Sequence, residues 1–156
     1  MRPKLYVETT IPSLLTAWPS RDVLIAGQQQ ATRDWWTERR QRYELYVSAF
    51  VLDEASQGDA AAAAARVEVL KECRVLAYAA EAEALTRALL GSRLIPAKAA
   101  ADAAHIAVAS VHGMDFLLTW NCRHIANAAI VERLRAICIR EGHAAPVICT
   151  PHELMV

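Results

Sequence analysis

Three acids, Glu8, Glu54 and Asp102, and one amide, Asn121, stand where predicted elements begin or end, and that shared position is the main chemical signal in the sequence. Glu8 follows the apolar run Leu5-Tyr6-Val7. Glu54 sits in the helical stretch after Leu45-Tyr46-Val47, with Asp53 beside it as a rival candidate. Asp102 opens an alanine-rich segment. Asn121 ends the polar tripeptide Thr119-Trp120-Asn121, which follows Phe116-Leu117-Leu118. Clustered carboxylates repel one another and raise each other's pKa unless a cation neutralises them. Hard oxygen ligands of this kind suit Mg²⁺ or Mn²⁺, which keep waters and take further ligands from phosphate. Such a site supports metal-assisted phosphodiester hydrolysis, in which the ion lowers the pKa of a water and steadies an in-line displacement.

Each residue also has a plainer reading. Glu8 could cap the next helix, Glu54 could be a solvated helix residue, and Asp102 could complement a helix dipole. Asn121 could serve turn geometry alone. His105, one helical turn from Asp102 and set among Ile106, Ala107 and Val108, reads as a hydrogen-bonded core residue. Cys122 and His124 are too close and too isolated for a zinc site. Asp115 begins the fourth predicted strand and is expected at its amino edge, in a structural role. No GxGxxG, GxxxxGK[ST] or GxSxG pattern occurs, which excludes the usual nucleotide cradles and the nucleophile elbow.

The elements that must position these residues alternate between strand and helix. Asp102, Ile106, Ala109 and Gly113 follow helical spacing, and Phe116-Leu117-Leu118 reads as a strand buried on both faces. Further strands are expected at Lys4 to Val7, Leu45 to Val47, Val75-Leu76 and Pro146 to Ile148. Helices are expected from Ile11, from Ser20-Arg21-Asp22 to Tyr43, after Ser48 as a cap, from Asp59, from Glu81 to Leu90, and around Ile130, Leu134 and Ile137. Thr150-Pro151-His152-Glu153 has the form of a capping box with proline at the first helical position. The alternation predicts an α/β fold on four or five parallel strands, whose ligands bind outside the carboxyl edge.

With 156 residues, 54% hydrophobic and 22% charged, the chain is expected to form one domain spanning 1–156. No apolar run of about 18 residues exists to span a membrane, and the expected location is cytoplasmic. The cysteines Cys73, Cys122, Cys138 and Cys149 show no CxxC pairing and are expected to be reduced core residues. Seventeen basic residues balance seventeen acidic ones, so attraction to a phosphate backbone must be local. Arg33, Arg39, Arg40, Arg42 and Arg123 are the candidates. Trp35 and Trp36 are adjacent on one helix and point about 100° apart, so one of them is expected to line an exposed groove for a partner.

Four segments in this order, YVETTIPSLL, VLDEASQGD, DAAHIAVASVHGMDFLLTWNCRHIAN and ICTPHEL, resemble the PIN-domain proteins, and within them the VapC-like toxins of bacterial toxin–antitoxin pairs. The resemblance covers nearly the whole chain and is most specific in DAAHIAVAS and LLTWN. It implies a three-layer α/β/α sandwich, Mg²⁺- or Mn²⁺-dependent endoribonuclease activity, RNA as substrate, a small antitoxin protein as partner and a homodimer. It also implies Glu8, Glu54 and Asp102 as metal-holding acids, Asn121 at the fourth catalytic position, and Thr9 and Thr119 as orienting residues. Two departures stand out: Glu8 occupies a position where aspartate is commoner, and Asn121 one that is usually acidic. Two other functions stay open, a PIN-fold interaction module without catalysis and a metal-dependent DNase.

Overall fold

The computed structural model describes residues 1–156. Its centre is a sheet of five parallel strands: β1 (Lys4–Val7), β2 (Glu44–Ser48), β3 (Arg74–Leu76), β4 (Phe116–Leu118) and β5 (Val147–Cys149), in the order β3-β2-β1-β4-β5. β1 is the middle strand, and Leu5, Tyr6 and Val7 are entirely removed from solvent. That is why it reads as an unbroken apolar run and not as an alternating one.

Parallel strands need crossovers. α1 (Thr10–Thr16) and α2 (Val23–Glu38) join β1 to β2, while α3 (Ala49–Ala55) and α4 (Ala60–Leu70) join β2 to β3. α5 (Ala80–Gly91) and α6 (Ala100–Val111) carry the chain back across the sheet to β4, and α7 (Val131–Arg140) leads to β5. Right-handed crossovers place the early and late helices on opposite faces. α1 packs against α2 and α4, and α5 packs against α6 and α7. The result is a three-layer α/β/α sandwich. The direction of strand addition reverses between β1 and β4, so the carboxyl ends of those two strands flank the crevice where open sheets bind ligands.

α6 is the most buried helix, with Ala103 through Ser110 all inside. Its alanines let it lie close to its neighbours, and Gly113 ends it with φ of 65°, in the left-handed region. Asp22 and Asp59 cap α2 and α4 through their side chains, and the capping box at Thr150 and Glu153 opens a single 3₁₀ turn, Pro151–Leu154. At the amino edge Asp115 accepts from the Lys4 amide at 2.8 Å, the structural role expected of it. No helix is long and apolar enough to cross a membrane.

Three details differ from the sequence reading. α2 ends at Glu38 and is followed by a 3₁₀ turn, Arg40–Arg42, instead of continuing to Tyr43. Arg39 leaves helical backbone geometry with φ of −122°, and its guanidinium donates to the Met155 carbonyl at 3.0 Å. Ser48 stands at the start of α3 without capping it by its side chain. Its hydroxyl is bonded instead to Tyr6 Oη at 2.7 Å. Trp35 is fully buried and Trp36 half-buried, with the Arg40 guanidinium 5.3 Å from the Trp36 ring centre. Among the large apolar side chains that stand in solvent, Trp18, Val23 and Leu24 lie together where α2 begins, while others such as Val75, Ile139 and Val147 are scattered.

Candidate functional site at the carboxyl edge of the sheet

Glu8 follows β1 directly and is only 3% exposed. Its Oε1 accepts from the Thr119 hydroxyl at 2.6 Å, from the Thr10 amide at 3.2 Å and from the Thr10 hydroxyl. Thr119 directly follows β4, so this carboxylate ties together the ends of the two strands that flank the crevice. Burial pushes the Glu8 carboxyl above its ordinary range, with His105 and the threonine hydrogen bonds offsetting part of the shift. The Thr10 hydroxyl also accepts from the Trp120 amide at 2.8 Å.

Glu54 projects from α3. Its Oε1 receives the Thr9 hydroxyl at 2.7 Å and His105 Nε2 at 2.6 Å. Partial burial opposes ionisation, but the hydrogen bonds from His105 and from the Thr9 hydroxyl outweigh it and hold the carboxyl below its usual range. His105 is completely buried, and its Nδ1 lies 2.7 Å from Tyr6 Oη. A chain of polar groups therefore runs from Ser48 through Tyr6 and His105 to Glu54. Burial raises the Tyr6 phenol far above its ordinary value, so it stays a neutral hydroxyl.

Asp102 sits in the first turn of α6, and its Oδ2 lies 2.9 Å from His124 Nδ1. Both side chains are mostly buried, at 16% and 17% exposure. His124 is held in turn by Asn121, whose Oδ1 accepts from the His124 amide at 3.0 Å and from the Arg123 amide at 3.3 Å. The Asn121 amide donates to Thr119 Oγ1 at 2.9 Å. Asn121 therefore performs turn chemistry with its side-chain oxygen, while its Nδ2 makes no hydrogen bond to the protein.

At the carboxyl edge, hydrogen bonds link Glu8, Thr119, Asn121 and, through His124, Asp102 in one network and Thr9 with Glu54 in a second. Asp53, the rival of Glu54, makes no side-chain hydrogen bond or ion pair. Two partners of the acids were not foreseen. His105 is the buried, hydrogen-bonded core residue expected, but its bond to Glu54, 51 positions away, was not foreseen. His124 was considered only with Cys122, while its partner Asp102 lies on another element. The signal that could have found both is the pairing of two histidines with the two later acids.

A common pattern unites the acids. Protein donors converge on one oxygen of each carboxylate, Glu8 Oε1, Glu54 Oε1 and Asp102 Oδ2, and none reaches the other. Trp35 Nε1 is the only sealed side-chain polar atom without a partner, so the second carboxylate oxygens reach solvent. Carboxylate oxygens are the ligand type that a hard divalent cation takes. No three His, Cys, Asp or Glu side chains are gathered into a group that could hold a metal ion. Mg²⁺ needs no such group, because it commonly uses one or two carboxylates and completes its shell with water and phosphate. No protein-family model matches the chain, and no curated protein matches it in sequence.

Cys73, Cys138 and Cys149 are buried free thiols, and burial pushes Cys73 and Cys149 up to about 12. Cys122 is exposed, against expectation, because it lies in the loop after Asn121. Arg39 and Arg40 are committed to the Met155 carbonyl and to Glu72. With Arg42 they precede β2 at the amino edge, far from the acids. Arg123 alone among the candidate arginines belongs to the loop that carries Asn121 and His124.

Proposed function

We propose that this chain is a metal-dependent endoribonuclease of the PIN type, acting as the toxin of a toxin–antitoxin pair. The observation that carries the proposal is the set of three carboxylates at the carboxyl edge, each with one oxygen hydrogen-bonded within the protein and the other without a protein donor. Glu8, Asp102 and Glu54 would hold Mg²⁺ or Mn²⁺ directly or through water, and the ion supplies charge neutralisation and a more acidic water. Thr9, Thr10 and Thr119 orient the carboxylates. Asn121 presents its free Nδ2 as a donor for a ligand water or a phosphate oxygen, and Arg123 offers a guanidinium for the backbone of single-stranded or structured RNA. The proposed protein partners are a small antitoxin and a second copy of the chain, with Trp18, Val23 and Leu24 providing exposed apolar surface.

Cleavage of a single-stranded RNA with Mn²⁺, Mg²⁺ or EDTA, compared between wild type and Asp102→Asn, tests the proposal. The substitution is nearly isosteric and keeps an oxygen for His124. It should cost at least about a hundredfold in metal-dependent cleavage while leaving the metal-free melting temperature unchanged or slightly higher. Full activity in Asp102→Asn would sink the proposal. One observation favours a second reading, an interaction module without catalysis, namely that no three ligands are gathered. A nuclease with a cation site should gain about 2.7 kcal/mol of stability at a hundred times the dissociation constant of Mn²⁺, and a silent module should gain none. Preference for DNA in the same assay would instead identify a DNase.

A further inference from the structure

We infer that His105 is the positioning residue of Glu54, its ring locked by Tyr6 so that Nε2 donates to Glu54 Oε1 and leaves Oε2 turned to the edge; this role rests on the nuclease reading above. An ionised carboxylate can only accept, so the contact of 2.6 Å requires the proton on His105 Nε2. In the neutral ring Nδ1 then carries the lone pair and accepts from Tyr6 Oη–H across 2.7 Å. Tyr6 Oη has spent its proton there, so it accepts from Ser48 Oγ–H, also across 2.7 Å. Every member of the chain is satisfied in one direction, and the direction ends on Glu54.

The arrangement is more specific than packing demands. Four elements, β1, β2, α3 and α6, each contribute one member, and Tyr6, Ser48 and His105 are all buried. A histidine kept only to fill the core has no need of a partner that is one-third exposed at a site edge. Thr9 donates to the same oxygen as His105, so two donors compete for Oε1 while Oε2 has none. Rotation of the carboxylate would break both bonds. The histidine on the neighbouring acid points the same way: His124 Nδ1 engages one oxygen of Asp102 and leaves the other open.

Three replacements separate positioning from packing. In His105→Gln the side-chain amide nitrogen stands near the place of Nε2 and can still donate to Glu54. In His105→Asn the shorter amide reaches only the Nδ1 side, towards Tyr6. His105→Phe keeps the ring and loses both bonds. Nitrogen NMR of the wild-type imidazole should show a protonated Nε2 and an unprotonated Nδ1. If His105 positions Glu54, the Gln variant keeps Mn²⁺ affinity and kcat within about threefold, while Asn and Phe lose about tenfold or more, with KM for RNA little changed. That order should hold even where the melting temperatures of Gln and Asn fall equally. Equal losses in the Gln and Asn variants, or a proton on Nδ1 alone, would overturn the role while leaving the nuclease intact. A wild-type protein that neither binds Mn²⁺ nor cleaves RNA would overturn the nuclease and this role with it.

Discussion

Glu8 and Glu54 are the same residue type at the same edge, yet their surroundings drive their proton affinities in opposite directions. Burial raises the Glu8 carboxyl, so the native state holds that proton more tightly than the unfolded chain does. Its favourable contribution is present at acid pH and is lost as pH rises through the native value. Ionised Glu8 therefore costs stability at neutral pH. Glu54 is lowered because His105 and Thr9 outweigh its desolvation, so its contribution is present at neutral pH and is lost as pH falls below the ordinary glutamate range. In EDTA, Glu8→Gln should raise the melting temperature at pH 7 and Glu54→Gln should lower it, each by roughly 2–4 °C for about 1 kcal/mol. Both differences should shrink as pH falls, that of Glu8 already below its raised native value and that of Glu54 only below the ordinary glutamate range. Melting curves across that range check the sign of each, and the same sign for both variants would mean that the hydrogen bonds around one of them are misassigned.

At the scale of elements, what was legible in the sequence was whatever depends on near neighbours. The strands Lys4–Val7 and Phe116–Leu118 were legible because they are short apolar runs bounded by polar residues. The caps at Asp22 and Asp59 and the stop at Gly113 were legible because each works within one turn of its own chain. Gly113→Ala should therefore lower the urea midpoint, because a β-carbon at φ of 65° costs about 1–2 kcal/mol even though the space around it is open. What escaped was long-range. Ser48 was assigned to its own helix as a cap, but Tyr6, on the next strand of the sheet, claims its hydroxyl. The acids were found as element ends, whereas the two histidines that orient them were not, since spacing along one chain does not show which loop will face which helix.

At the scale of the whole molecule, charge is balanced and most arginines are already engaged. Arg40 pairs with Glu72 and Arg87 with Glu83, while Arg39 and Arg33 donate to backbone carbonyls. Few guanidinium groups remain for a phosphate backbone near the acids. Binding of single-stranded RNA should then depend weakly on salt, with a logarithmic slope of about 1–2, at about 0.7 per phosphate neutralised. Equilibrium binding from low to moderate ionic strength measures this directly, with Ca²⁺ in place of Mg²⁺ to suppress turnover. A slope near 6 would place an extended basic surface on the molecule where the structure shows none. Arg123→Ala should lower the slope by about 0.7.

The bond between the Thr119 hydroxyl and Glu8 spans 111 residues, and β1 takes its second strand partner from the same distant part of the chain. During synthesis the first strand must wait for the fourth. Until Phe116 to Leu118 have left the ribosome, one edge of β1 is unpaired and the acid that follows it lacks its hydroxyl donor from β4. A fragment ending before Phe116 would carry two of the three acids, or all three, without the Thr119 hydroxyl that Glu8 accepts from. Closing so long a loop is also slow relative to local helix formation. Recovery of cleavage after dilution from urea should therefore coincide with the final cooperative folding phase and show no earlier burst. For the nuclease proposed above, such topology keeps the acids from their final arrangement until β4 has been made.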